Sequence, residues 1–121
     1  MIALDHIAVI VSSEESIHFY EKLGFIECKR TERSYDTVVF MQCGNVMLEI
    51  FVDPNHPERA TNPENRGLRH IAFYVDKFEE LNIEVGKIRM DWFGRKSTFI
   101  KDPDGLPIEI IEKGSTLRCA K

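Results

Sequence analysis

The chain has 121 residues, 43% of them hydrophobic, so it is long enough for one globular domain with a core but too short for two ordinary domains. Its formal net charge of −4 argues against binding to nucleic acid or to anionic membranes, and favours a small-molecule or protein partner. The three cysteines form no C-x-x-C pair and no apolar run approaches the ~20 residues of a membrane span, so we expect a cytoplasmic protein with reduced thiols.

The first half of the chain predicts a strand, a helix and three further strands. Residues 2–11 alternate as a strand, and Ser12 and Ser13 then offer an N-cap for a helix that ends at Gly24. Three further segments are typical of strands, and the last two are joined by the two-residue turn Gly44-Asn45: residues 26–31, 36–43 and 46–52. The predicted order is βαβββ.

The second half repeats this order after a connecting segment at about 54–66, which is rich in proline and poor in apolar residues. A strand is predicted at 68–75, followed by Asp76 as a helix cap and the short helix KFEEL. Three strands follow, the last after a DPDG turn: residues 83–90, 97–101 and 106–112. The predicted fold class is α+β, a single domain of two βαβββ modules, about 1–53 and 67–113, with a tail at 114–121.

An internal repeat links the two halves. LDHIAVIV at residues 4–11 and LRHIAFYV at residues 68–75 are identical at five of eight positions, and GNVMLEIF at 44–51 matches GLPIEII at 105–111. The alignment places His6 opposite His70 and Glu49 opposite Glu109. Strand alternation sends all four side chains to the face opposite the apolar face of their own strand.

Each of these four residues has an ordinary structural explanation when it is taken alone. A single strand histidine is usually hydrogen-bonded within the fold, and a single glutamate usually faces water. The recurrence of both residue types in equivalent places is a different observation, because solvent-facing positions have no reason to repeat. Two imidazoles and two carboxylates suit one divalent ion such as Ni²⁺, Zn²⁺, Co²⁺, Mn²⁺ or Fe²⁺, which would keep coordination positions for substrate. We therefore predict a metal site formed by His6, Glu49, His70 and Glu109.

The same motifs resemble the vicinal oxygen chelate superfamily, which contains glyoxalase I, bleomycin-resistance proteins and extradiol dioxygenases. The paired modules, the H-I-A strand that opens each half and the terminal DPDGLPIEI strand carry the resemblance. PERATNPENRGLRHIAFYVD and FIKDPDGLPIEIIE are similar to small bacterial lactoylglutathione-lyase-like proteins. The resemblance implies an eight-stranded open barrel around one metal ion and a homodimer, in which the ligands of one site come from one chain or from two.

The ligand set is similar to that of glyoxalase I, in which the metal holds the enediolate formed from a glutathione-methylglyoxal hemithioacetal and a glutamate ligand moves the proton. The resemblance therefore implies a metal-dependent lyase or isomerase that acts on a small α-oxo or α-hydroxy carbonyl compound, with Glu109 as the base. Bacterial glyoxalase I commonly uses an arginine and an asparagine on glutathione where this chain has Ile10 and Asp53. The departure argues for a substrate other than a glutathione conjugate.

Two other functions stay open at the level of sequence. With Fe²⁺ the same ligands would serve an oxidative enzyme, although dioxygenases keep open the place of the fourth protein ligand. A protein that binds a small toxic compound without turnover would not need the metal. Further residues are candidates for lining the cavity, although core packing explains them equally well: Met47, Phe51, Tyr74, Trp92 and Phe99. Basic residues are candidates for an anion-binding rim near the cleft, although charged residues that border strands usually face water: Arg66, Arg69, Arg89, Arg95 and Lys96.

Overall fold

The chain divides into two units, Met1–Glu58 and Arg59–Lys121, which we call module 1 and module 2. The computed structural model describes residues 1–113, so the predicted tail at 114–121 lies outside the described residues. The division falls inside the predicted connecting segment. Among the described residues, no helix is both long enough and apolar enough to cross a lipid bilayer.

Module 1 has the predicted βαβββ order. Its elements are β1 (Ile7–Val11), α1 (Glu15–Lys22), β2 (Ile26–Glu32), β3 (Thr37–Cys43) and β4 (Val46–Val52). The strands form an open sheet in the order β1-β4-β3-β2, in which β1 runs parallel to β4 and the other neighbours are antiparallel. The central strand β4 buries Leu48 and Ile50 completely on one face, which leaves Glu49 on the other.

The helix of module 1 begins and ends where the sequence indicates. The hydroxyl oxygen of Ser13 accepts a hydrogen bond from the Glu15 amide at 3.2 Å, which satisfies one donor at the helix start. Gly24 has a φ of 109°, which favours glycine after the last turn. Ile17 and Tyr20 are 2% and 0% exposed, so the predicted apolar stripe is buried.

Module 2 repeats the sheet with shorter outer elements. Its strands are β5 (Ile71–Val75), β6 (Arg89–Met90), β7 (Lys96–Lys101) and β8 (Pro107–Glu112), in the order β5-β8-β7-β6. A single 3-10 turn at Phe78–Glu80 stands in place of the α-helix. As in module 1, the first and last strands are parallel and the sheet is open. The predicted pair of four-stranded modules is thus confirmed.

Two local predictions for module 2 are wrong. The predicted strand at 83–90 is reduced to Arg89–Met90, because only these two residues pair with β7. The segment before them contacts β7 through a side chain: the Thr98 hydroxyl donates to the Lys87 carbonyl oxygen at 3.1 Å. Asp76 does not cap the following turn. The Phe78 amide instead donates to the Glu112 carboxylate at 3.3 Å, and Asp76 lies 4.0 Å from the Lys113 amine.

The first strand of each module is shorter than predicted. Pairing begins at Ile7 opposite Leu48 in module 1 and at Ile71 opposite Ile108 in module 2. The segments before these residues are not strands. His6 therefore stands immediately before its strand, at the open end of the parallel pair, and His70 does the same in module 2.

The DPDG turn fixes the position of the last strand. One carboxylate oxygen of Asp102 accepts hydrogen bonds from the amides of Asp104 and Leu106, both at 2.9 Å, and the Asp102 side chain is buried. Gly105 adopts a φ of 90°, which the turn requires. The turn confirms the predicted DPDG turn and joins the antiparallel strands β7 and β8, whose register decides which residues lie beside Glu109.

Candidate metal centre

In module 1 the structure brings His6 and Glu49 together. The two atoms concerned, His6 Nε2 and Glu49 Oε1, are 3.3 Å apart, and both side chains are partly exposed. Ala8 pairs with Glu49 on the parallel side of β4, and its small side chain leaves room for the imidazole that stands two residues before it. A histidine just before the sheet and a glutamate on its central strand thus meet at one point.

Module 2 repeats this arrangement. His70 Nε2 lies 3.3 Å from Glu109 Oε1, and Ala72 takes the place of Ala8 beside the glutamate. The side chain of Glu109 is 15% exposed, against 21% for Glu49. The equal separations show that the repeat found in the sequence is also a repeat in side-chain geometry.

An aromatic ring completes each pair, and only one of the two rings is among the sequence candidates. Phe99 pairs with Glu109 across β7 and β8 and packs edge-on against His70 at 5.2 Å between ring centroids. Phe40 pairs with Glu49 and packs in the same way against His6 at 6.0 Å. Sequence reasoning missed Phe40. The number of residues between Phe40 and Glu49 nearly equals the number between Phe99 and Glu109, and this similar spacing could have revealed it.

The spacing of each histidine–glutamate pair fits two ligands of one ion better than it fits an optimised ion pair. Charge-assisted hydrogen bonds between nitrogen and a carboxylate are usually about 2.7–2.9 Å long. Two donors that each lie about 2.1 Å from an ion, roughly 90–110° apart, are separated by about 2.9–3.4 Å. Among residues 1–113, no group of three or more His, Cys, Asp or Glu side chains is placed to hold a metal ion, so each pair taken alone is an incomplete ligand set.

The two histidines differ in their neighbours. Asp5 accepts a hydrogen bond from His6 Nδ1 at 2.7 Å, which leaves Nε2 as the lone-pair donor that faces Glu49. This hydrogen bond to Asp5 raises the pKa of His6 above its usual value; burial opposes the rise, and the charge of Glu49 adds to it. Arg69 occupies the equivalent place before His70 and pairs with Glu64 at 3.1 Å.

The remaining candidates from the sequence occupy different surroundings. Met47 and Phe51 are half-buried on the face of β4 that carries Glu49. Tyr74 lies on the face of β5 that carries Ala72, since alternate residues of a strand share a face. The side chain of Arg69 is 78% exposed, and Trp92 is 99% exposed in the loop after β6.

Comparisons with known proteins agree with these observations. A family model, the Glyoxalase/Bleomycin resistance protein/Dioxygenase superfamily, matches residues 3–110. The chain belongs to this superfamily. The uncharacterized protein YwkD of Bacillus subtilis (strain 168) is similar to it, at 40% identity over 124 residues, which cover 92% of this chain and 97% of YwkD.

Solved structures of superfamily members share the fold. A glyoxalase family protein from Enterococcus faecalis is 37% identical, with a TM-score of 0.81 and coverage of 91% of this chain and 97% of that one. A lactoylglutathione lyase from Agrobacterium tumefaciens is 28% identical, with a TM-score of 0.63 and coverage of 92% and 93%. The resemblance predicted from the sequence is therefore confirmed, while the superfamily itself contains enzymes and binding proteins.

Proposed function

We propose that the protein is a metal-dependent lyase or isomerase of glyoxalase I type, acting on a small α-oxo or α-hydroxy carbonyl compound. The observation that carries the proposal is the equivalent histidine–glutamate pair in each module, with the same 3.3 Å separation in both. Members of the superfamily commonly bind a divalent metal, which agrees with these donor atoms. In this proposal one pair from each kind of module, His6 with Glu49 and His70 with Glu109, holds the ion.

In the proposed reaction the ion and Glu109 have different roles. The bound ion would supply a positive charge that stabilises the oxyanion developing on the substrate. Glu109 takes the proton from the carbon beside the carbonyl and returns it to the neighbouring carbon, so the product is an isomer and no oxidant is consumed. Partial burial of its side chain and the ring of Phe99 limit the access of water to this proton.

The surroundings of Asp53 support a substrate that lacks a glutathione moiety. Its carboxylate accepts a hydrogen bond from the Asn55 amide at 2.8 Å and pairs with His56 Nδ1 at 2.8 Å. Asp53 is only 9% exposed, so it stabilises the loop after β4. A hemithioacetal of a smaller thiol, or a substrate without a thiol, fits this chain better.

Metal content and turnover test the proposal together. The protein is purified, loaded with Ni²⁺, Co²⁺, Zn²⁺, Mn²⁺ or Fe²⁺, and assayed with hemithioacetals of several thiols, while His6→Ala and Glu109→Ala variants are analysed for bound metal. We expect about one ion per site in the native protein and a clear loss in both variants. Unchanged metal content in both variants contradicts the site, and O₂ uptake by an Fe²⁺ form that ignores every hemithioacetal favours the oxidative alternative.

We further propose a homodimer, and charge supports this part of the proposal. Module 1 contains ten acidic and four basic residues, whereas module 2 contains ten acidic and twelve basic ones, so unlike modules of two copies attract each other. The edge strand β2 is exposed along its whole length. Sedimentation at micromolar concentration should give a dimer that weakens with salt, and a monomer at every concentration contradicts this expectation.

A further inference from the structure

The loop that leads into module 2 is closed by the side chain of Arg59. Nη2 of Arg59 donates a hydrogen bond to the backbone carbonyl oxygen of Arg69 at 2.9 Å and lies 3.3 Å from Glu64 Oε2. Nε of Arg69 donates to the other carboxylate oxygen of Glu64 at 3.1 Å. Arg59 and Arg69 are ten residues apart. The loop is therefore fastened at the residue directly before His70.

The carbonyl that Arg59 contacts belongs to the peptide unit that joins Arg69 to His70. Pairing of β5 with β8 begins at Ile71, so His70 stands outside the paired residues of the sheet. Because a peptide unit is planar, a hydrogen bond to its oxygen also restricts the direction of the amide that follows. The bond from Arg59 therefore acts on the backbone that carries the imidazole.

The two modules support their histidines in different ways. In module 1 the carboxylate of Asp5 accepts a hydrogen bond from Nδ1 of His6 at 2.7 Å. An arginine takes the place of Asp5 in module 2, and in the part of the chain that the structure describes, Glu109 is the one carboxylate that pairs with His70. Each imidazole also packs against a phenylalanine, so that contact does not account for the difference. Module 2 reaches the same separation without a carboxylate behind its histidine.

The free energy of folding alone explains Arg59 poorly. Its side chain is 25% exposed, and its Nε atom is buried and has no hydrogen-bond partner among residues 1–113. A buried donor without a partner lowers the stability of the folded state. This loss offsets part of what the two contacts of Nη2 contribute. An arginine at this place is better explained by what its hydrogen bond does for the neighbouring residue.

We infer that Arg59 is a positioning residue for His70. By binding the carbonyl oxygen of Arg69, it fixes the backbone from which the imidazole reaches Glu109. The inference rests on the proposed function only for the role of His70 as a metal ligand, and its claim about the backbone needs no metal. Ligands that are already in place lose less conformational entropy when an ion binds, so the affinity for the ion rises.

Backbone ¹⁵N relaxation of the full chain without metal tests the positioning directly. Arg59→Met keeps a long unbranched side chain but removes both contacts of Nη2. We expect the order parameter of the His70 amide to fall from about 0.85 in the native protein to about 0.6 in Arg59→Met. The Ile71 amide should keep its value in both proteins, because Ile71 is paired with β8.

A role confined to the loop gives a different result. Arg59→Met would then lower the order parameters within residues 60–68 and leave His70 unchanged, which overturns the inference. Arg69→Gln is the matched control, because it removes the side-chain contact with Glu64 but keeps the carbonyl that Arg59 binds. Arg69→Gln should retain the native order parameter at His70. Arg59→Gln provides the same test if Arg59→Met does not fold.

Calorimetric titration with Ni²⁺ measures the consequence for metal binding. Arg59→Met should bind Ni²⁺ about tenfold or more weakly than the native protein, the scale found when a residue that supports a metal ligand is removed. Arg69→Gln should bind it as tightly as the native protein. Equal affinities of the native protein and Arg59→Met for Ni²⁺ overturn the inference.

The relaxation and the titration let the two proposals fail separately. A native protein that binds none of the ions Ni²⁺, Co²⁺, Zn²⁺, Mn²⁺ and Fe²⁺ removes the proposed metal site. The order parameter of His70 then still decides whether Arg59 fixes the backbone. A His70 amide that is already mobile in the native protein, or equally rigid in Arg59→Met, overturns the inference whatever the metal does.

Discussion

Module 1 and module 2 share a sheet order and a histidine–glutamate pair but differ at their outer edges. Module 1 has an eight-residue helix and a seven-residue edge strand, where module 2 has a three-residue 3-10 turn and a two-residue edge strand. The separation of the paired side chains is nevertheless 3.3 Å in both. The geometry of the pair therefore depends on the parallel strands and the central strand, and tolerates large changes in the remaining elements.

The two modules also differ in the polarity of the residues near each glutamate. Ile10 and Phe51 in module 1 correspond to Tyr74 and Ile111 in module 2, where Arg95 lies beside the tyrosine. The histidine and glutamate donor atoms are the same in both modules, whereas the neighbouring residues differ. This contrast predicts that equivalent substitutions in the two modules will have unequal effects.

The largest difference is expected between Glu109→Gln and Glu49→Gln. Glutamine keeps the volume and one oxygen donor but removes the basic carboxylate, so Glu109→Gln should retain most of its metal and lose activity by on the order of 10²-fold or more. Glu49→Gln should be milder, because Glu49 is proposed only as a metal ligand and glutamine keeps an oxygen donor. Turnover and metal content of both variants are measured on the substrate found by the screen. Full activity of Glu109→Gln removes the proposed base.

A smaller difference is expected between Asp5→Asn and Arg69→Gln, which alter the residue before each histidine. Asp5 orients His6 through a 2.7 Å hydrogen bond, whereas Arg69 pairs with Glu64. Loss of such a supporting carboxylate commonly weakens metal binding by about 10–100-fold. Because the Asp5 side chain is 93% exposed, we expect an effect on the order of tenfold or less. Competition with a chelator measures it, and an equal loss in Arg69→Gln would refute the assigned asymmetry.

The smallest effect concerns stability in acid. A hydrogen bond from Arg33 lowers the pKa of Asp36, against an opposing effect of burial. In module 2, burial raises the pKa of Asp91, but hydrogen bonds from Arg95 and Phe93 outweigh it and the pKa is lowered. A lowered carboxyl pKa adds stability that is fully present above the unfolded value near 3.8 and is lost as the pH falls through the folded value.

Thermal unfolding of Asp36→Asn and Asp91→Asn between about pH 2 and pH 7 checks this expectation. The difference in midpoint from the native protein should be constant above about pH 5 and should shrink in acid for both variants. Both variants should show this change, since hydrogen bonds from an arginine lower the pKa of each aspartate in the folded protein. A difference that does not vary with pH would show that neither ion pair contributes through its charge.

Local signals in the sequence account for what was predicted correctly. Ser13, Gly24 and the Gly44-Asn45 turn act within a few residues, and the structure places the ends of α1 and the β3–β4 hairpin where they indicate. The strand predicted at 83–90 failed because Ile83 and Val85 have strand propensity but no backbone partner on β7. Propensity alone does not supply the neighbouring strand.

The candidate site was predictable in part. Repetition along the sequence identified His6, Glu49 and their equivalents, because the two copies could be aligned directly. Phe40 was missed because a phenylalanine within a strand reads as core, and only the pairing of strands shows that it lies beside Glu49. The contact between Arg95 and Tyr74 joins residues far apart in the chain, so no local pattern reports it.

Both glutamates stand on the central strand of their sheet, with hydrogen-bonded strands on either side. The backbone at Glu49 and Glu109 should therefore be among the slowest to exchange its amide hydrogens with solvent. A carboxylate on such a backbone changes position by rotating its own side-chain bonds, on the picosecond to nanosecond scale when exposed, while the strand stays in place. Release and recapture of an ion by Glu109 would then require no movement of the fold, and proton transfer would not wait for a loop to open.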